Sequence, residues 1–345
     1  METPIATIAF VPREVFCQTK DALETLFQRT DSPFELVCID GNSPPEVRAY
    51  LETAAKEKGF TLIRTDSYLS PNQARNIAIR WAQKNARSPY IVFVDNDVFV
   101  GDGWLAPLVE CAQETGAWVV GPAYYEHLPE RSKLHMFGGT CRVETDDSGA
   151  RRLIERHDFA HLKAQDLSEA LTRRETELIE FHVVLVRLAA FDTLVELDEG
   201  LLSQSEHCDL CLMVREAGHS IWLEPASQIT YVPPKKLQGP DKEYFFLRWS
   251  ETWNEASLQR LENKWSLTPI DRENSEITKF VRTHRRLGLN YMRTIRKLIG
   301  RKKTKSIEKR FIIPNEPAWN SKRFPYEKYC KVAPVNESIV YSHLE

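Results

Sequence analysis

Short apolar runs alternate with amphipathic stretches along the first part of the chain. The apolar runs predict buried strands, and stretches in which apolar residues recur every three or four positions predict helices. The predicted strands cover residues 5–10, 34–39, 60–64, 90–94, 118–120, 179–186 and 220–223. The predicted helices cover residues 20–28, 45–58, 72–85 and 206–217. This order is typical of βαβ units, so we expect an α/β fold with a Rossmann-like, mostly parallel sheet flanked by helices.

The pattern changes after residue 234. Aromatic and charged residues dominate there, and helical spacing replaces the strand pattern. We therefore predict a first domain over residues 1–234 and a mainly helical, basic accessory region over residues 235–345. Residues 144–176 are polar and charged, and we expect them to form loops and a helix over the functional site.

Composition narrows the class of protein. The 345 residues exceed one minimal domain, and 42% hydrophobic with 28% charged residues is a globular composition. The net charge of -3 gives no reason to expect nucleic-acid binding. The 7 cysteines are odd in number and scattered along a long chain, which argues against a disulfide framework. We expect a cytoplasmic protein, since a signal-peptide pattern and a long apolar run are both lacking.

Two acidic positions follow predicted strands. Asp40 comes after the strand at 34–39, and Asp95, followed by Asp97, comes after the strand at 90–94. Ligands of such sheets bind beyond the carboxyl ends of the strands, so we expect these acids on one rim. Asp95 and Asp97 can converge on one hard cation, Mg²⁺ or Mn²⁺, that bridges a diphosphate. Two solvated acids in a surface turn are the alternative.

Several short motifs occur in order along the chain. They read FVP at 10–12, DGNS at 40–43, NQARN at 72–76, VDND at 94–97, LDE at 197–199 and SEHCDL at 205–210. Together they resemble the motifs of family 2 glycosyltransferases. This resemblance implies a glycosyltransferase A fold and inverting transfer of a sugar from a nucleotide-sugar to an acceptor hydroxyl.

The resemblance also implies how the donor is bound. Asp40 would accept a hydrogen bond from the donor base, commonly uracil, and Pro12 would belong to the same nucleotide site. Arg75 would lie near the nucleotide or diphosphate. Asp95 would face the ribose or a metal-bound water, and Asp97 would bind the Mn²⁺ or Mg²⁺ ion. A turn-forming role for Asp40, and helix capping or surface charge for Arg75, are the alternatives.

The catalytic base is where the chain departs from the family. The family has Glu-Asp, whose Asp deprotonates the acceptor, but this chain has Glu206-His207. Histidine suits a general base, since its unperturbed pKa is about 6.5. Glu206 is the other candidate, although Ser203 and Glu206 also match a capping box that opens a helix. Asp209 would orient His207 or bind the acceptor.

A second departure concerns the metal. Many relatives supply a later histidine as an additional ligand, but the matching stretch at 229–233 reads ITYVP. We therefore expect metal ligands from Asp97, phosphate and water, and a looser dependence on the metal.

Residues 282–310 are strongly basic and carry apolar residues at helical spacing. This pattern predicts a basic amphipathic helix that contacts an anionic membrane, where a lipid-linked acceptor would lie. A solvated face packed on the main domain is the alternative. The expected partners are thus a nucleotide-sugar and a saccharide or lipid-linked acceptor, as in polysaccharide or glycolipid biosynthesis.

Two other functions fit a sheet of this kind. A sugar nucleotidyltransferase would use the same metal, but it needs a glycine-rich loop after the first strand, which here reads VPREV at 11–15. A degenerate transferase would bind a nucleotide-sugar without turnover, and the Glu206-His207 departure keeps that alternative open.

Overall fold

The computed structural model describes residues 2–128, 130–167, 171–233, 237–272, 275–289, 291–323 and 340–341. The domain boundary predicted between residues 234 and 235 lies outside the described residues, so the division at that point stays a prediction. A large hydrophobic core surrounds the main sheet, and a smaller one lies under the C-terminal helices.

The N-terminal part alternates strands with helices. Its elements are β1 (Ala6–Val11), α1 (Thr19–Arg29), β2 (Phe34–Gly41), α2 (Pro45–Lys58), β3 (Thr61–Thr65), α3 (Pro71–Asn85) and β4 (Tyr90–Asp95). The sequence prediction is confirmed here, with bounds that differ by at most two residues. Local chemistry sets the helix ends. Ser70 and Gln73 form a capping box at the start of α3, and α2 ends at Gly59, whose φ of 71° is left-handed.

A longer stretch of mixed structure follows. Its elements are β5 (Val98–Val100), α4 (Leu105–Thr115), β6 (Val119–Glu126), β7 (Lys133–Met136), β8 (Gly139–Thr145), β9 (Arg151–His157), β10 (Arg174–Thr176), β11 (Val183–Arg187), α5 (Phe191–Leu194), α6 (Glu206–Glu216) and β12 (Ile221–Tyr231). The last three predicted strands overlap β6, β11 and β12, although the one predicted at 179–186 begins four residues before β11, and the predicted helix at 206–217 corresponds to α6.

The prediction of loops and a helix over residues 144–176 is wrong. β8 and β9 form an antiparallel hairpin, and the described residues of this stretch contain no α-helix. Half of the hairpin residues are exposed, and Cys141, Val143 and Leu153 belong to the core or pack against it, so charged residues hide its alternation. Gly139 permits close pairing, because a Cβ there would lie 1.9 Å from the carbonyl oxygen of Arg156.

The main sheet has the strand order β10-β12-β6-β11-β4-β1-β2-β3-β13, where β13 is Val340–Tyr341. β1 pairs in parallel with β2 and β4, and β2 pairs in parallel with β3. β11 runs antiparallel between β4 and β6. The carboxyl ends of β1, β2 and β4 therefore meet at one edge. The expected α/β sheet flanked by helices is confirmed, and its parallel half positions the candidate site.

The C-terminal region is helical, as predicted. It contains α7 (Lys242–Arg248), α8 (Glu251–Lys264), α9 (Glu276–Arg285), α10 (Tyr291–Ile307) and α11 (Glu316–Arg323). Its hydrophobic core joins Val15, after β1, to Phe245, Trp249 and Val281. No helix within the described ranges is both long and apolar enough to cross a membrane.

Candidate active site

Asp40 lies at the carboxyl end of β2 and is fully buried. Its Oδ1 accepts a hydrogen bond from the backbone N–H of Ser43 at 2.8 Å, and its Oδ2 accepts one from the Ser43 hydroxyl at 2.9 Å. Arg64, its cross-strand neighbour on β3, adds an ion pair. The turn-forming role is therefore present, and a nucleotide base would meet Asp40 only beside Ser43 and Arg64.

A small pocket lies between the ends of β1 and β2 and the start of α3. Pro12, Gly41, Leu69 and Tyr244 contribute to its wall, and the Tyr244 hydroxyl donates a hydrogen bond to the Leu69 carbonyl at 2.7 Å. The cavity volume is about 10 Å³, which is far below the roughly 300–1,000 Å³ of small-molecule sites. A nucleoside diphosphate would need more space than this closed arrangement offers.

Asp95 ends β4 and is 1% exposed. Arg13 pairs with its Oδ2, and Nη2 of Arg75 lies 3.5 Å from its Oδ1. Burial opposes ionisation, but Arg13 and Arg75 outweigh it and lower the pKa of Asp95. Sequence reasoning missed Arg13. It follows Pro12, and its place beside Asp95 comes from the pairing of Val11 with Asp95 across β1 and β4.

Asp97 and His182 lie next to Asp95. Oδ1 of Asp97 and Nδ1 of His182 are buried, and neither has a hydrogen-bond partner among the described residues. Burial and the charge of Asp95 raise the pKa of Asp97 to about 7, and burial lowers the pKa of His182 to about 3. Ligand atoms of the three side chains lie within 4.8 Å of one another. A divalent cation would satisfy both orphaned atoms, so these residues fit a metal.

His182 corrects the expectation that the protein supplies no histidine beside Asp97. The residue comes from the start of β11, not from the stretch at 229–233. Tyr231, within that stretch, stacks on the His182 ring with centroids 4.1 Å apart. The backbone N–H of Asp95 donates to the His182 carbonyl at 3.1 Å, which fixes His182 at the end of β4. The only sequence signal was a lone histidine within the apolar strand predicted at 179–186.

Asp95 belongs to a closed ring of six side chains whose charges alternate in sign. In order, it contains Arg13, Asp95, Arg75, Glu206, Arg248 and Glu14. Each of these side chains is at most 10% exposed. Glu206 Oε1 lies 3.1 Å from Arg248 and 3.7 Å from Arg75. Removing one member would leave a buried charge unpaired, which typically costs about 3–5 kcal/mol. The ring therefore ties the strand ends to α7.

Glu206 and His207 begin α6 but have different surroundings. Glu206 belongs to the charged ring, whereas His207 contacts two other glutamates. Its Nε2 lies 3.1 Å from Oε1 of Glu155, and its Nδ1 lies 3.9 Å from Oε2 of Glu180. Burial opposes protonation, but Glu180 and Glu155 raise the pKa of His207 to about 10. The structure thus separates the two candidate bases.

The capping box expected from Ser203 and Glu206 does not form. The residue before α6 is Ser205, which has a left-handed φ of 65° and makes no side-chain cap. Glu206 instead directs its carboxylate to Arg248 and Arg75. This contact keeps Glu206 a candidate for chemistry.

The structure does not bring Asp209 to His207. Oδ1 of Asp209 accepts a hydrogen bond from Trp265 Nε1, and Oδ2 accepts one from Lys264 Nζ, both at 2.8 Å. Because Asp209 is only 1% exposed, the expectation that it orients His207 or binds an acceptor is corrected. Its contacts anchor the end of α8 to α6.

Comparisons with known proteins agree with this architecture. Residues 17–174 match the model of the family described as Glycosyl transferase family 2. A relative from Bacillus subtilis (strain 168), the uncharacterized glycosyltransferase EpsJ, is 26% identical over 112 residues. That alignment covers 32% of this chain and 31% of EpsJ.

Two solved structures are similar to this chain. GalNAc-T7 with UDP, GalNAc and Mn²⁺ matches with a TM-score of 0.51 and 17% identity, over 94% of this chain and 59% of that one. S. aureus TarS 1-349 in complex with UDP-GlcNAc matches with a TM-score of 0.47 and 14% identity, over 78% of this chain and 74% of that one. The likeness to GalNAc-T7 shows a glycosyltransferase A fold. This chain spans less than two thirds of EpsJ and of the GalNAc-T7 chain.

Proposed function

We propose, from the match of residues 17–174 to the model of glycosyl transferase family 2, that the protein is an inverting glycosyltransferase that moves a sugar from a UDP-sugar to an acceptor hydroxyl. One observation carries the proposal. The buried atoms Asp97 Oδ1 and His182 Nδ1 lack hydrogen-bond partners among the described residues, and they lie at the carboxyl edge of the parallel strands. Open α/β sheets bind their ligands at this edge.

Donor binding is proposed for the ends of β1 and β2. Asp40 and Pro12 would contact the nucleoside, and Arg13 and Arg75, which flank Asp95, would face the diphosphate. UDP is the donor nucleotide we favour, because Asp40 occupies the position that resembles the family's base-binding acid. GalNAc-T7, a neighbour of the same fold, was solved with UDP, GalNAc and Mn²⁺, which supports this choice.

Asp95, Asp97 and His182 are the residues that would hold Mn²⁺ or Mg²⁺. When bound, such an ion neutralises the diphosphate as the nucleotide leaves. Asp97 is the member that most needs a cation, because burial and Asp95 destabilise its carboxylate. Asp95 is already neutralised by Arg13, so it would contribute more to positioning than to charge.

We assign the removal of the acceptor proton to Glu206. Its carboxylate contacts Arg75, beside the donor site, whereas His207 faces a separate pair of glutamates. Glu206 takes the proton as the acceptor oxygen attacks the anomeric carbon. The bond from that carbon to the donor phosphate breaks on the opposite face, so the configuration inverts. Arg248 and Arg75 hold the carboxylate in place.

Transfer itself tests the proposal. The purified chain would be incubated with Mn²⁺, a panel of UDP-sugars, and saccharide or lipid-linked acceptors. We expect acceptor-dependent release of UDP and a product whose anomeric configuration, read by NMR, is opposite to that of the donor. Retention would contradict the mechanism. Donor binding without transfer to any acceptor would favour a degenerate binding protein, and formation of a nucleotide-sugar from a nucleoside triphosphate would favour a nucleotidyltransferase.

We also propose that residues 282–310 contact an anionic membrane that carries a lipid-linked acceptor. Leu287 and Leu298 are apolar side chains that are 43% and 77% exposed. Exposed basic residues flank Leu298 along the chain, on both sides of a break in the helix at Gly300, namely Arg296, Lys297, Arg301, Lys302 and Lys303. An exposed apolar surface flanked by cations suits the interface of an anionic bilayer.

A further inference from the structure

A second group of metal-ligating side chains lies apart from Asp97. It contains Glu155, His157, Glu180 and His207, and one ligand atom from each lies within 4.8 Å of the others. Glu155 and His157 alternate along β9 and so share one face of the strand. Glu180 comes from the segment before β11, and His207 comes from the first turn of α6. Three separate elements thus converge on one point.

Three of the distances between these atoms are close to the spacing of a tetrahedral site. Oε1 of Glu155 lies 3.2 Å from Nε2 of His157 and 3.1 Å from Nε2 of His207, and Nε2 of His157 lies 3.5 Å from Oε1 of Glu180. Zinc bonds to nitrogen and oxygen of about 2.0–2.1 Å place tetrahedral ligand atoms roughly 3.3 Å apart. We infer that these four side chains bind a single Zn²⁺ ion, a site that lies beyond the proposed donor site.

The donor set favours zinc over the hard cations. Two imidazole nitrogens and two carboxylate oxygens suit Zn²⁺, whereas Mg²⁺ and Ca²⁺ prefer oxygen ligands throughout. The two carboxylates also balance the charge of the ion when both histidines are neutral. The exposed fractions of these side chains range from 15% for His207 to 34% for Glu155, so an ion can reach the site from solvent.

The surroundings of the ligands resemble the support that metal sites require. His135 Nε2 lies 3.9 Å from Oε1 of Glu180, and the His135 ring packs edge-on against His157 with centroids 5.7 Å apart. Such outer contacts orient metal ligands and tune their affinity.

His135 also separates this site from the donor site. Its ring centroid lies 5.3 Å from that of His182 on one side and 5.7 Å from that of His157 on the other. Because four protein ligands fill a tetrahedral shell, the zinc site is closed and its role is structural. The ion would fix the β8–β9 hairpin, half of whose residues are exposed, to α6.

Metal stoichiometry tests this site directly. The full chain would be stripped with a chelator, then titrated with Zn²⁺ against a chromophoric indicator, and with Co²⁺ to read the visible absorption of a tetrahedral ion. We expect one tight zinc per chain. His157→Gln should weaken it by at least roughly 100-fold, since even outer-shell changes cost 10–100-fold. His219→Gln, which changes a histidine stacked on Trp118, is the matched control and should bind as the wild type does.

A third variant keeps the two metal sites distinguishable. Asp97→Asn removes a ligand of the donor site only, so it should retain the tight zinc and the tetrahedral Co²⁺ spectrum. Zinc binding that survives in His157→Gln, or that disappears in Asp97→Asn alone, would overturn the site. The wild-type Co²⁺ spectrum decides the geometry without any variant, and an octahedral spectrum would also overturn it. A wild-type chain that binds zinc but does not bind UDP would contradict the donor site instead.

Discussion

Asp95 and Asp97 lie two positions apart in the sequence, but their surroundings shift the pKa values of their carboxyl groups in opposite directions. Arg13 and Arg75 flank Asp95 and lower its pKa, so this carboxylate is ionised without a metal. Asp97 has an Oδ1 without a hydrogen-bond partner in the described part of the chain, and its pKa is raised to about 7. A bound cation would therefore stabilise the carboxylate of Asp97 more than that of Asp95. Asp95 serves mainly to hold the arginines at the donor site.

Glu206→Gln removes the proposed base while it keeps the size of the side chain and an oxygen that can accept from Arg248. We expect turnover to fall at least roughly 100-fold, as is usual when a general base is lost, with little change in UDP binding. Steady-state UDP release and calorimetric titration measure the two effects. His207→Gln is the neighbouring control and should lose less activity. Because His207 is also a proposed zinc ligand, the base would move to His207 only if turnover collapses in His207→Gln but not in the zinc-ligand variant His157→Gln.

Single residues differ in how far sequence could predict them. Asp40, Arg75 and Asp95 were found because short motifs contain them, and the structure brings Arg75 to Asp95. Arg64 and His182 were missed, because each reaches the site through its strand neighbour rather than through a motif. Sequence order does not encode strand register, so partners of this kind appear only in the folded chain.

At the scale of elements, burial on both faces made the early strands predictable. β1 and β4 are buried along their whole length and read as continuous apolar runs. The β8–β9 hairpin was missed because half of its residues are exposed and most of those are charged. That failure matters for the proposed zinc site, since β9 supplies Glu155 and His157.

The packing of α9 on α7 predicts a pH-dependent stability. The His284 ring packs against Phe245, Trp249 and Phe280, and burial lowers its pKa from 6.5 to about 4. The unfolded chain therefore binds this proton more readily, so stability falls as pH drops from about 6.5 towards 4. One pKa unit corresponds to about 1.4 kcal/mol. Because the ring is partly exposed, we expect the free energy of unfolding to fall by only about 1–2 kcal/mol.

Melting at pH 7.5 and pH 5 checks this effect. His284→Phe should lose less stability on acidification than the wild type, because the buried imidazole is gone. His219→Phe, at a site outside this aromatic cluster, should behave as the wild type does. An unchanged pH dependence in His284→Phe would show that another group governs it.

Helix α10 carries the proposed membrane contact. Reversing the charges of Arg301, Lys302 and Lys303 should weaken binding to vesicles that contain phosphatidylglycerol by at least roughly 100-fold, since each basic residue near such a surface contributes about 1 kcal/mol. Flotation against neutral phosphatidylcholine vesicles measures the effect. The control reverses the same number of exposed charges elsewhere, at Lys20, Lys56 and Lys84. Equal loss in the control, or no wild-type binding to anionic vesicles, would contradict the contact.

At the scale of the whole molecule, the helical region takes part in the candidate site. Tyr244 of α7 covers the small pocket beside Leu69, and Arg248 completes the charged ring through Glu14 and Glu206. The sequence predicted this region as an accessory, because its contacts with β1 and α3 depend on long-range packing. Donor binding is therefore expected to shift α7 away from the strand ends.

Thermal unfolding with nucleotides tests the central claim of a metal-assisted UDP site most directly. UDP, GDP, dTDP and CMP would each be added with and without Mn²⁺ to the wild type and to Asp97→Asn. A ligand at 100 times its Kd stabilises a fold by about 2.7 kcal/mol, which raises the Tm by several degrees. We predict that UDP raises the Tm of the wild type most when Mn²⁺ is present, and that Asp97→Asn loses the metal-dependent part. No shift with any nucleotide, or an equal Mn²⁺-dependent shift in Asp97→Asn, would contradict the account.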